Sequence, residues 1–358
     1  MFVIEKRKRF TKVQNFFLII IFIGLSLIMS SLIFLLRGLN PFFVLTKILT
    51  SAFGSFYGIK ETITKSIPLI LCGTGLVVAF RGKFWNIGAE GQLLIGAVMA
   101  TWIGLFIGKN LPSYILIPLM FVFGFLGGGV VGLIPAILKV KFNINEVITT
   151  LMLNYIIENL ISYLVYGPWK GKTQYGFPYT DNLPKNALLP IIKGSRIHYP
   201  TLIIGFLVAL LIYFLINKTK IGYEIKVVGE NPYAARYSGI DFLKVNLVMM
   251  LISGGLAGIA GVGELAGIHK HLTYPYQISS GYGYTSIIVA WLSGLNPILV
   301  LISSIFFGGI LVGGDVIQTT FGFPFATINI FNGLMLFFIA ASNFFINYKI
   351  KFVKVKYE

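Results

Sequence analysis

Long apolar stretches separated by short polar segments run along nearly the whole of this 358-residue chain. A helix that crosses a bilayer needs roughly 20 predominantly apolar residues. Ten stretches reach or approach that length: 16–36, 63–80, 87–108, 113–138, 147–167, 199–216, 245–263, 283–294, 296–313 and 324–346. The pattern predicts an all-α polytopic membrane protein with about ten transmembrane helices, forming a single transmembrane domain over residues 1–358.

Two of these stretches need a closer reading. The first follows a basic segment, as a secretory signal does, but it is longer than the roughly 7–15 apolar residues of a signal and ends at Leu36. We therefore predict a retained span. The stretch 283–294 is short and glycine-flanked, so it is either a full crossing or half of a broken helix.

Composition supports the membrane class. Apolar residues make up 56% of the chain and charged residues 11%, against roughly 25% charged residues in an ordinary soluble domain. The mean hydropathy is +0.84. These values exclude a soluble globular enzyme, a disordered chain and a disulfide scaffold. The apolar runs are also too long for the strands of an outer-membrane barrel, which alternate apolar and polar residues over about ten positions.

The net charge of +17 comes from basic residues at helix ends and in loops. With the N-terminus inside, the inner segments hold eighteen Lys and Arg residues and the outer segments hold ten. Cytoplasmic loops carry an excess of Lys and Arg, so both termini are predicted to be cytoplasmic. The basic residues suit anionic membrane lipid, and no nucleic-acid partner is expected.

Glycine spacing and a faint internal repeat point to the helix arrangement. Four positions recur at a constant offset of 181: Val131, Gly132, Phe142 and Leu153 match Val312, Gly313, Phe323 and Leu334. Five spans separate the copies, so the halves would be inverted, which is a transporter architecture; chance similarity of glycine-rich helices is the alternative. Glycines four residues apart also suit close helix packing, at Gly124, Gly128, Gly132, Gly254, Gly258, Gly309 and Gly313.

Polar side chains within the predicted spans are the candidates for a translocation path. Asn86, Glu90 and Gln92 stand at the start of the third stretch, where an acid at the helix centre costs roughly 2.5–3.5 kcal/mol on insertion scales. Such groups suit a neutral, hydroxyl-rich or heterocyclic ligand; an interfacial helix cap is the alternative. Four further candidates either line the path or bond helices together: Asn154, Glu158, Asn329 and Asn332. The acids form no spaced relay, which disfavours a proton pump.

The cytoplasmic segment 217–244 contains the most specific signal. Asn231 is a good N-cap, Pro232 suits the first helical position and Gly239 suits the position after the C-cap. These residues predict a helix of about seven residues. Ala234, Ala235 and Ser238 would give it a small-residue face, so we interpret it as a docking device for another protein; a helix lying on lipid headgroups is the alternative.

Motifs of soluble nucleotide-binding and metal proteins do not fit their surroundings here. The GxGxxG pattern of Gly127, Gly129 and Gly132 lies inside a span, without the strand that this motif requires. The phosphate-loop-like segment 104–110 lacks the Ser or Thr that holds magnesium. The three histidines have no accompanying cluster of Cys, Asp or Glu. We therefore expect no cofactor, no metal and no catalytic site in this chain.

Three elements resemble the permease subunits of bacterial ABC importers in the ribose and branched-chain amino acid permease superfamily, nucleoside-type permeases in particular. They are Phe84–Gln92 (FWNIGAEGQ, with Trp85 inserted in the group's element), Asn145–Tyr155 (NEVITTLMLNY) and Gly229–Ile240. The similarity spans roughly residues 55–345.

The resemblance implies a ten-helix fold with inverted halves, like that of type II ABC importer permeases. It also implies a coupling helix that sits in a groove of a cytoplasmic ATPase, on Gly229, Glu230, Asn231, Pro232, Ala234, Ala235, Tyr237, Gly239 and Ile240. The implied partners are that ATPase, a second and related permease subunit, and an extracytoplasmic substrate-binding lipoprotein. The implied substrates are purine or pyrimidine nucleosides, carried across the inner membrane.

Three alternatives remain open at the level of sequence. A permease for a simple sugar such as ribose or galactose would share the architecture. A self-sufficient secondary transporter would need no docking helix. A membrane enzyme acting on lipid would need a clustered nucleophile, base or metal, and none is found.

Overall fold

The computed structural model describes residues 2–6, 12–35, 38–323, 327, 330, 333–334, 337–338, 341–342, 344–346 and 348–352. The chain divides into two compact units. The larger unit is Ser55–Gly309, and the smaller combines Met1–Gly54 with Ile310–Glu358.

The helices follow in chain order. They are α1 (Lys12–Leu35), α2 (Pro41–Phe53), α3 (Phe56–Arg81), α4 (Ala89–Trp102), α5 (Ser113–Phe142), α6 (Glu146–Tyr166), α7 (Tyr199–Lys218), α8 (Lys220–Glu230), α9 (Pro232–Tyr237), α10 (Phe242–Gly263), α11 (Pro275–Ser279), α12 (Tyr282–Leu292) and α13 (Pro297–Phe321). The helices α4 and α10 continue as π-helical turns over Ile103–Ile107 and Glu264–His269.

Seven helices in the described part of the chain are long and apolar enough to cross a membrane. They are Phe56–Arg81, Ala89–Ile107, Ser113–Phe142, Glu146–Tyr166, Tyr199–Lys218, Phe242–His269 and Pro297–Phe321, and each coincides with a predicted stretch. The all-α polytopic class is therefore confirmed.

The other three predicted stretches fare differently. The first is helical, as α1. The stretch 283–294 becomes α12, whose 11 residues span about 16 Å at 1.5 Å per residue, roughly half of the hydrocarbon core. It is thus too short for a full crossing. The stretch 324–346 lies mostly outside the described residues.

In the larger unit, α10 packs against α3, α4 and α5. Its contact with α5 is made backbone to backbone, through the glycines at four-residue spacing. A Cβ placed on Gly258 would lie 2.0 Å from the carbonyl oxygen of Gly124, and one on Gly128 would lie 2.2 Å from that of Gly254. Small residues allow this approach where lipid provides no hydrophobic drive between helices.

In the smaller unit, a core forms around the aromatic edge-to-face pair of Phe34 and Phe323, with ring centroids 5.6 Å apart. Val44, Ile48 and Ile317 complete it. Helix α2 was not predicted, although its start is signalled: the Asn40 side chain accepts a hydrogen bond from the N–H of Phe42, and Pro41 occupies the first turn.

Two short strands, β1 (Phe2–Lys6) and β2 (Tyr348–Phe352), pair antiparallel in the smaller unit. Phe2 lies opposite Phe352, and Lys6 opposite Tyr348. Both strands lie outside the predicted apolar stretches. The expectation of helices is therefore met in the spans, whereas these two terminal segments form strands.

Candidate functional site

The chain breaks between α3 and α4 in a partly buried loop. Helix α3 ends at Arg81 and α4 begins at Ala89, with Phe84 and Asn86 fully buried between them. Lys83 adopts a left-handed conformation, with φ of 52°. This break brings the predicted polar residues Asn86, Glu90 and Gln92 into the interior of the helix assembly, and all three are buried.

Asn86 and Gln92 form a reciprocal pair of amides. Asn86 Nδ2 donates to Gln92 Oε1 at 2.9 Å, and Gln92 Nε2 donates to Asn86 Oδ1 at 3.2 Å. Asn86 also donates to Ser253 Oγ at 3.0 Å and accepts from the N–H of Gly88 at 3.0 Å. Ser253 lies on α10, so the pair is bonded to one of the helices that are long and apolar enough to cross a membrane.

Asn154 joins α6 to the same loop. Its Nδ2 donates to the carbonyl of Ile87 at 3.0 Å and to the Tyr284 hydroxyl at 3.1 Å, and its Oδ1 accepts from the N–H of Gly91 at 2.9 Å. One turn earlier on α6, Thr150 Oγ1 accepts from the N–H of Ile87 at 3.2 Å. Helices α4, α6 and α12 therefore meet around this single amide.

Glu90 connects the two helix breaks. It lies in the first turn of α4, and its Oε2 accepts a 2.7 Å hydrogen bond from the N–H of Gly283 in the first turn of α12. Ser279, the last residue of α11, and Gly281, just before α12, lie near the same carboxyl group. Glu90 thus stands between two helix N-termini, where both helix dipoles present their positive ends.

The four buried side chains Asn86, Glu90, Gln92 and Asn154 each have hydrogen-bond partners around residues 86–92 and are here together called the polar network. For Asn154 the alternatives were lining the path and bonding helices together, and in the structure it forms hydrogen bonds between helices. For Asn86 and Gln92 the alternative was an interfacial helix cap, and both side chains are buried and bonded to each other. Whether substrate also contacts them stays a prediction. Glu158 is half-buried one turn beyond Asn154. Asn329 and Asn332 lie outside the described residues.

Sequence reasoning missed the partners of the polar network. Ser253, Thr150 and Tyr284 complete it, and Ser253 and Thr150 are buried. Serine and threonine are common in apolar helices, so they gave no signal of their own. Tyr284 did carry one, since it stands in the stretch that was recognised as a candidate broken helix.

The short helix α9 has the predicted caps. Asn231 Oδ1 accepts from the N–H groups of Tyr233 and Ala234, both at 3.1 Å. At the other end of the helix, Gly239 has φ of 74°. The N–H of Gly239 donates to the carbonyl oxygen of Arg236, and the N–H of Ile240 donates to the carbonyl oxygen of Ala235. These last two bonds are those of a Schellman motif. The helix is six residues long.

The exposed face of α9 differs from the one expected. Ala235 is fully buried within its own chain, so the interpretation that it offers a docking face is wrong. Instead Tyr233 and Tyr237 are 83% and 97% exposed, and Ala234 is exposed beside them. Asn231 separates α9 from the preceding helix α8, and two aromatic side chains of α9 remain in solvent.

The hairpin of α8 and α9 contacts the break before the polar network. A Cβ on Gly229, near the end of α8, would lie 2.3 Å from the carbonyl oxygen of Arg81 and 3.1 Å from Gly82. The backbone of α8 thus rests directly on the end of α3. Only four residues lie between Arg81 and Asn86, so the helix hairpin and the polar network contact the two ends of one short loop.

Loop 167–198 is held against the end of α10. The N–H of Thr180 bonds to the carbonyl of Leu272 at 3.0 Å, and that of Leu183 bonds to the carbonyl of Lys270 at 2.7 Å. Asp181 Oδ1 accepts from the hydroxyl of Thr173 at 2.6 Å and from its N–H at 3.1 Å. These bonds favour the carboxylate and hold the pKa of Asp181 below its usual value.

No group of three or more His, Cys, Asp or Glu side chains that could hold a metal occurs among the described residues. His269 and His271, two of the three histidines, therefore belong to no such group.

Comparison with known proteins shows similarity along most of the chain. A family model described as the permease component of the branched-chain amino acid transport system matches residues 58–340. The guanosine ABC transporter permease protein NupP of Bacillus subtilis is 33% identical over 345 residues, covering 95% of each chain.

Two further relatives differ in the substrate that their names give. The nucleoside ABC transporter permease protein NupB of Lactococcus lactis is 30% identical over 332 residues, covering 90% of this chain and 89% of the relative. The glucose ABC transporter permease protein TsgB13 of Haloferax volcanii is 33% identical over 307 residues, covering 83% and 79%.

Proposed function

Because this chain belongs to the family of branched-chain amino acid transport system permease components, we propose that it is the permease subunit of an ABC importer for nucleosides. As a permease component it is a multi-pass membrane protein and a transport subunit, not a catalytic enzyme. ATP hydrolysis lies in a partner subunit. The family also implies a substrate-binding partner and a paired permease.

The polar network is the observation that carries this function. Buried amide and carboxyl groups among apolar helices cost free energy unless they are bonded. Here they lie around the loop between α3 and α4 and beside the break before α12, and transporters place substrate sites where helices are interrupted. Amides that donate and accept hydrogen bonds suit a neutral ligand rich in such groups, and a nucleoside offers both a base and a ribose. The names of NupP and NupB support the same class.

The finer assignments follow from this proposal. The paired permease is a related but different chain, and the substrate-binding partner is an extracytoplasmic lipoprotein. The complex lies in the inner membrane of a bacterium with both termini of this chain in the cytoplasm. The excess of Lys and Arg in the inner segments supports that orientation.

Helix α9 is the proposed coupling helix. It is fixed at both ends by caps and presents Tyr233 and Tyr237 to solvent. Exposed tyrosines are common anchors in protein interfaces, since they bury a large ring at low entropic cost. Closure of the ATPase would push this helix, and Gly229 would pass the displacement to the end of α3.

Uptake measurements test the substrate class. The chain is expressed with the ATPase, paired permease and binding protein of its own cell, and uptake of labelled guanosine, ribose and glucose is measured. We expect guanosine uptake that is lost when the ATPase cannot hydrolyse ATP. Uptake of glucose alone would favour the sugar permease, the second candidate, which the name of TsgB13 supports.

A tyrosine pair tests the coupling helix. Tyr237→Ala removes an exposed ring from α9, and Tyr223→Ala removes a 64% exposed ring from the neighbouring α8 as the matched control. We expect Tyr237→Ala to lower both co-purification of the ATPase and uptake several-fold, with the control near wild type. Full uptake by this chain without any ATPase would instead support a secondary transporter.

A further inference from the structure

Trp85 forms an aromatic cluster immediately before the polar network. Its ring centroid lies 5.5 Å from that of Trp291 with an angle of 26° between the planes. Phe80, at the end of α3, lies 5.8 Å from Trp291 at 28° and 5.7 Å from Trp85. Offset, nearly parallel rings at these distances attract one another.

The cluster is held on fixed backbone. The N–H of Lys83 bonds to the carbonyl of Phe80 at 3.0 Å, and Asn86 is anchored by the polar network. On the side of Trp291, the Arg81 guanidinium donates through Nε and Nη2 to the carbonyl of Leu295, at 3.0 and 2.9 Å. Trp85 therefore projects from a rigid loop, so a ligand that binds it does not need to order the loop.

Trp85 remains 44% exposed, whereas Phe80 is 5% exposed. Trp291 and Phe80 both pack against the Trp85 indole, and the exposed part of that residue is the surface that could receive a second flat ring. An interfacial tryptophan that only anchors a protein in the headgroups needs no stacked partner in the same chain. The arrangement of Trp85 is that of a stacking surface, which is how proteins bind bases without reading their edges.

We propose that Trp85 stacks against the nucleobase of the transported nucleoside, with Trp291 supporting the indole from behind. This assignment rests on the proposed function, and it adds a base-binding subsite beside the polar network. The polar network supplies hydrogen-bonding groups within reach of a ribose or a base edge, and Trp85 supplies the flat apolar surface that a sugar alone does not require.

Intrinsic fluorescence tests the subsite in the assembled transporter reconstituted in lipid. The chain has four tryptophans: Trp85, Trp102, Trp169 and Trp291. Guanosine is titrated against the wild type, Trp85→Leu and the control Trp102→Leu, whose residue is 38% exposed on α4. We expect guanosine to quench the wild type and Trp102→Leu, and the quench to be largely lost in Trp85→Leu. Ribose should quench none of them.

Transport kinetics supply the second readout. Trp85→Leu should raise the KM for guanosine roughly tenfold, the equivalent of about 1.4 kcal/mol. Trp85→Phe retains a flat ring and should stay within about threefold of the wild type. An unchanged guanosine quench in Trp85→Leu overturns the proposal, as do equal losses of uptake in Trp85→Leu and Trp102→Leu.

The two proposals fail in distinguishable ways. Guanosine uptake with an unchanged quench in Trp85→Leu refutes the stacking subsite and leaves the nucleoside importer standing. Glucose uptake without guanosine uptake refutes both.

Discussion

The reciprocal amide pair of Asn86 and Gln92 permits a quantitative test of the polar network. Asn86 takes part in four hydrogen bonds, two of them with Gln92 and one each with Ser253 and Gly88. The substitutions Asn86→Leu and Gln92→Met preserve approximate size while removing the amide. Made singly and together, they form a double-mutant cycle.

The magnitudes follow from the bonds that each change leaves unmade. Hydrogen bonds between membrane helices average about 0.6 kcal/mol, and an orphaned buried group costs about 1–3 kcal/mol. Asn86→Leu orphans groups on three residues, so it should cost roughly 2–4 kcal/mol; Gln92→Met breaks only two bonds and should cost roughly 1–2 kcal/mol. The double variant should cost less than the sum by about 1–2 kcal/mol, because the pair is lost only once.

The assay is equilibrium unfolding in mixed micelles, followed by circular dichroism, with the free energy of unfolding extrapolated to zero denaturing detergent. The control is Asn159→Leu. The Asn159 side chain is exposed on α6 and donates to the carbonyl of Tyr155 within its own helix, so its loss should cost less than about 0.5 kcal/mol. Additive effects of Asn86→Leu and Gln92→Met, within about 0.5 kcal/mol, would refute the reciprocal pair.

Three further predictions concern other parts of the chain. Gly258→Ala places a methyl group 2.0 Å from a backbone oxygen of α5 and should lower the free energy of unfolding by about 1–3 kcal/mol. The control Gly24→Ala, whose methyl group meets nothing within 4 Å, should not lower it. Equal thermal stability of the two variants would contradict the backbone contact. Gly239→Val forces a β-branched residue to φ of 74°, whereas asparagine tolerates this conformation. Gly239→Val should therefore reduce uptake and ATPase co-purification more than Gly239→Asn does. An equal loss in the two variants would count against the role of Gly239 in capping α9. Because the pKa of Asp181 is depressed in the folded protein, its carboxylate stabilises loop 167–198 at pH values above the ordinary carboxyl pKa, and this stabilisation is lost as the pH falls through the lower folded pKa. Asp181→Asn should therefore speed proteolysis of the loop at pH 7. Identical cleavage rates of the variant and the wild type would refute the role of these bonds.

The structural features that the sequence predicted are those determined by residues close to one another along the chain. Apolar runs of about 20 residues gave the spanning helices, because a membrane imposes that length on any helix that crosses it. The caps of α9 were equally local: Asn231, Pro232 and Gly239 act on backbone groups within a few residues. Helix α2 was missed because its 13 residues are too few for a span.

The features that sequence did not predict depend on contacts between distant segments. The Asn86 bond to Ser253 joins residues 167 positions apart, and the Glu90 bond to Gly283 joins residues 193 apart. The polar residues themselves stood out because amides and acids are costly in apolar helices. Their partners did not, and neither did the burial of Ala235, since an alanine on a short helix carries no sign of which neighbour it faces.

On the proposed function, the hydrogen bonds already made within the polar network determine what a transported ligand must replace. In the described conformation Asn154 and Glu90 tie α4 and α6 to α12 through Tyr284 and Gly283, so a nucleoside cannot bond these groups without replacing an existing partner. Each exchange is nearly neutral when the ligand offers an equivalent donor or acceptor, and costs about 1–3 kcal/mol when it does not. A ligand rich in hydrogen-bonding groups therefore separates these helices at little cost, whereas an apolar solute of equal size leaves orphaned amides behind. On the proposed function, selectivity thus arises from the replacement of internal hydrogen bonds, and the hairpin of α8 and α9, resting on Arg81 through Gly229, is placed to bias that exchange.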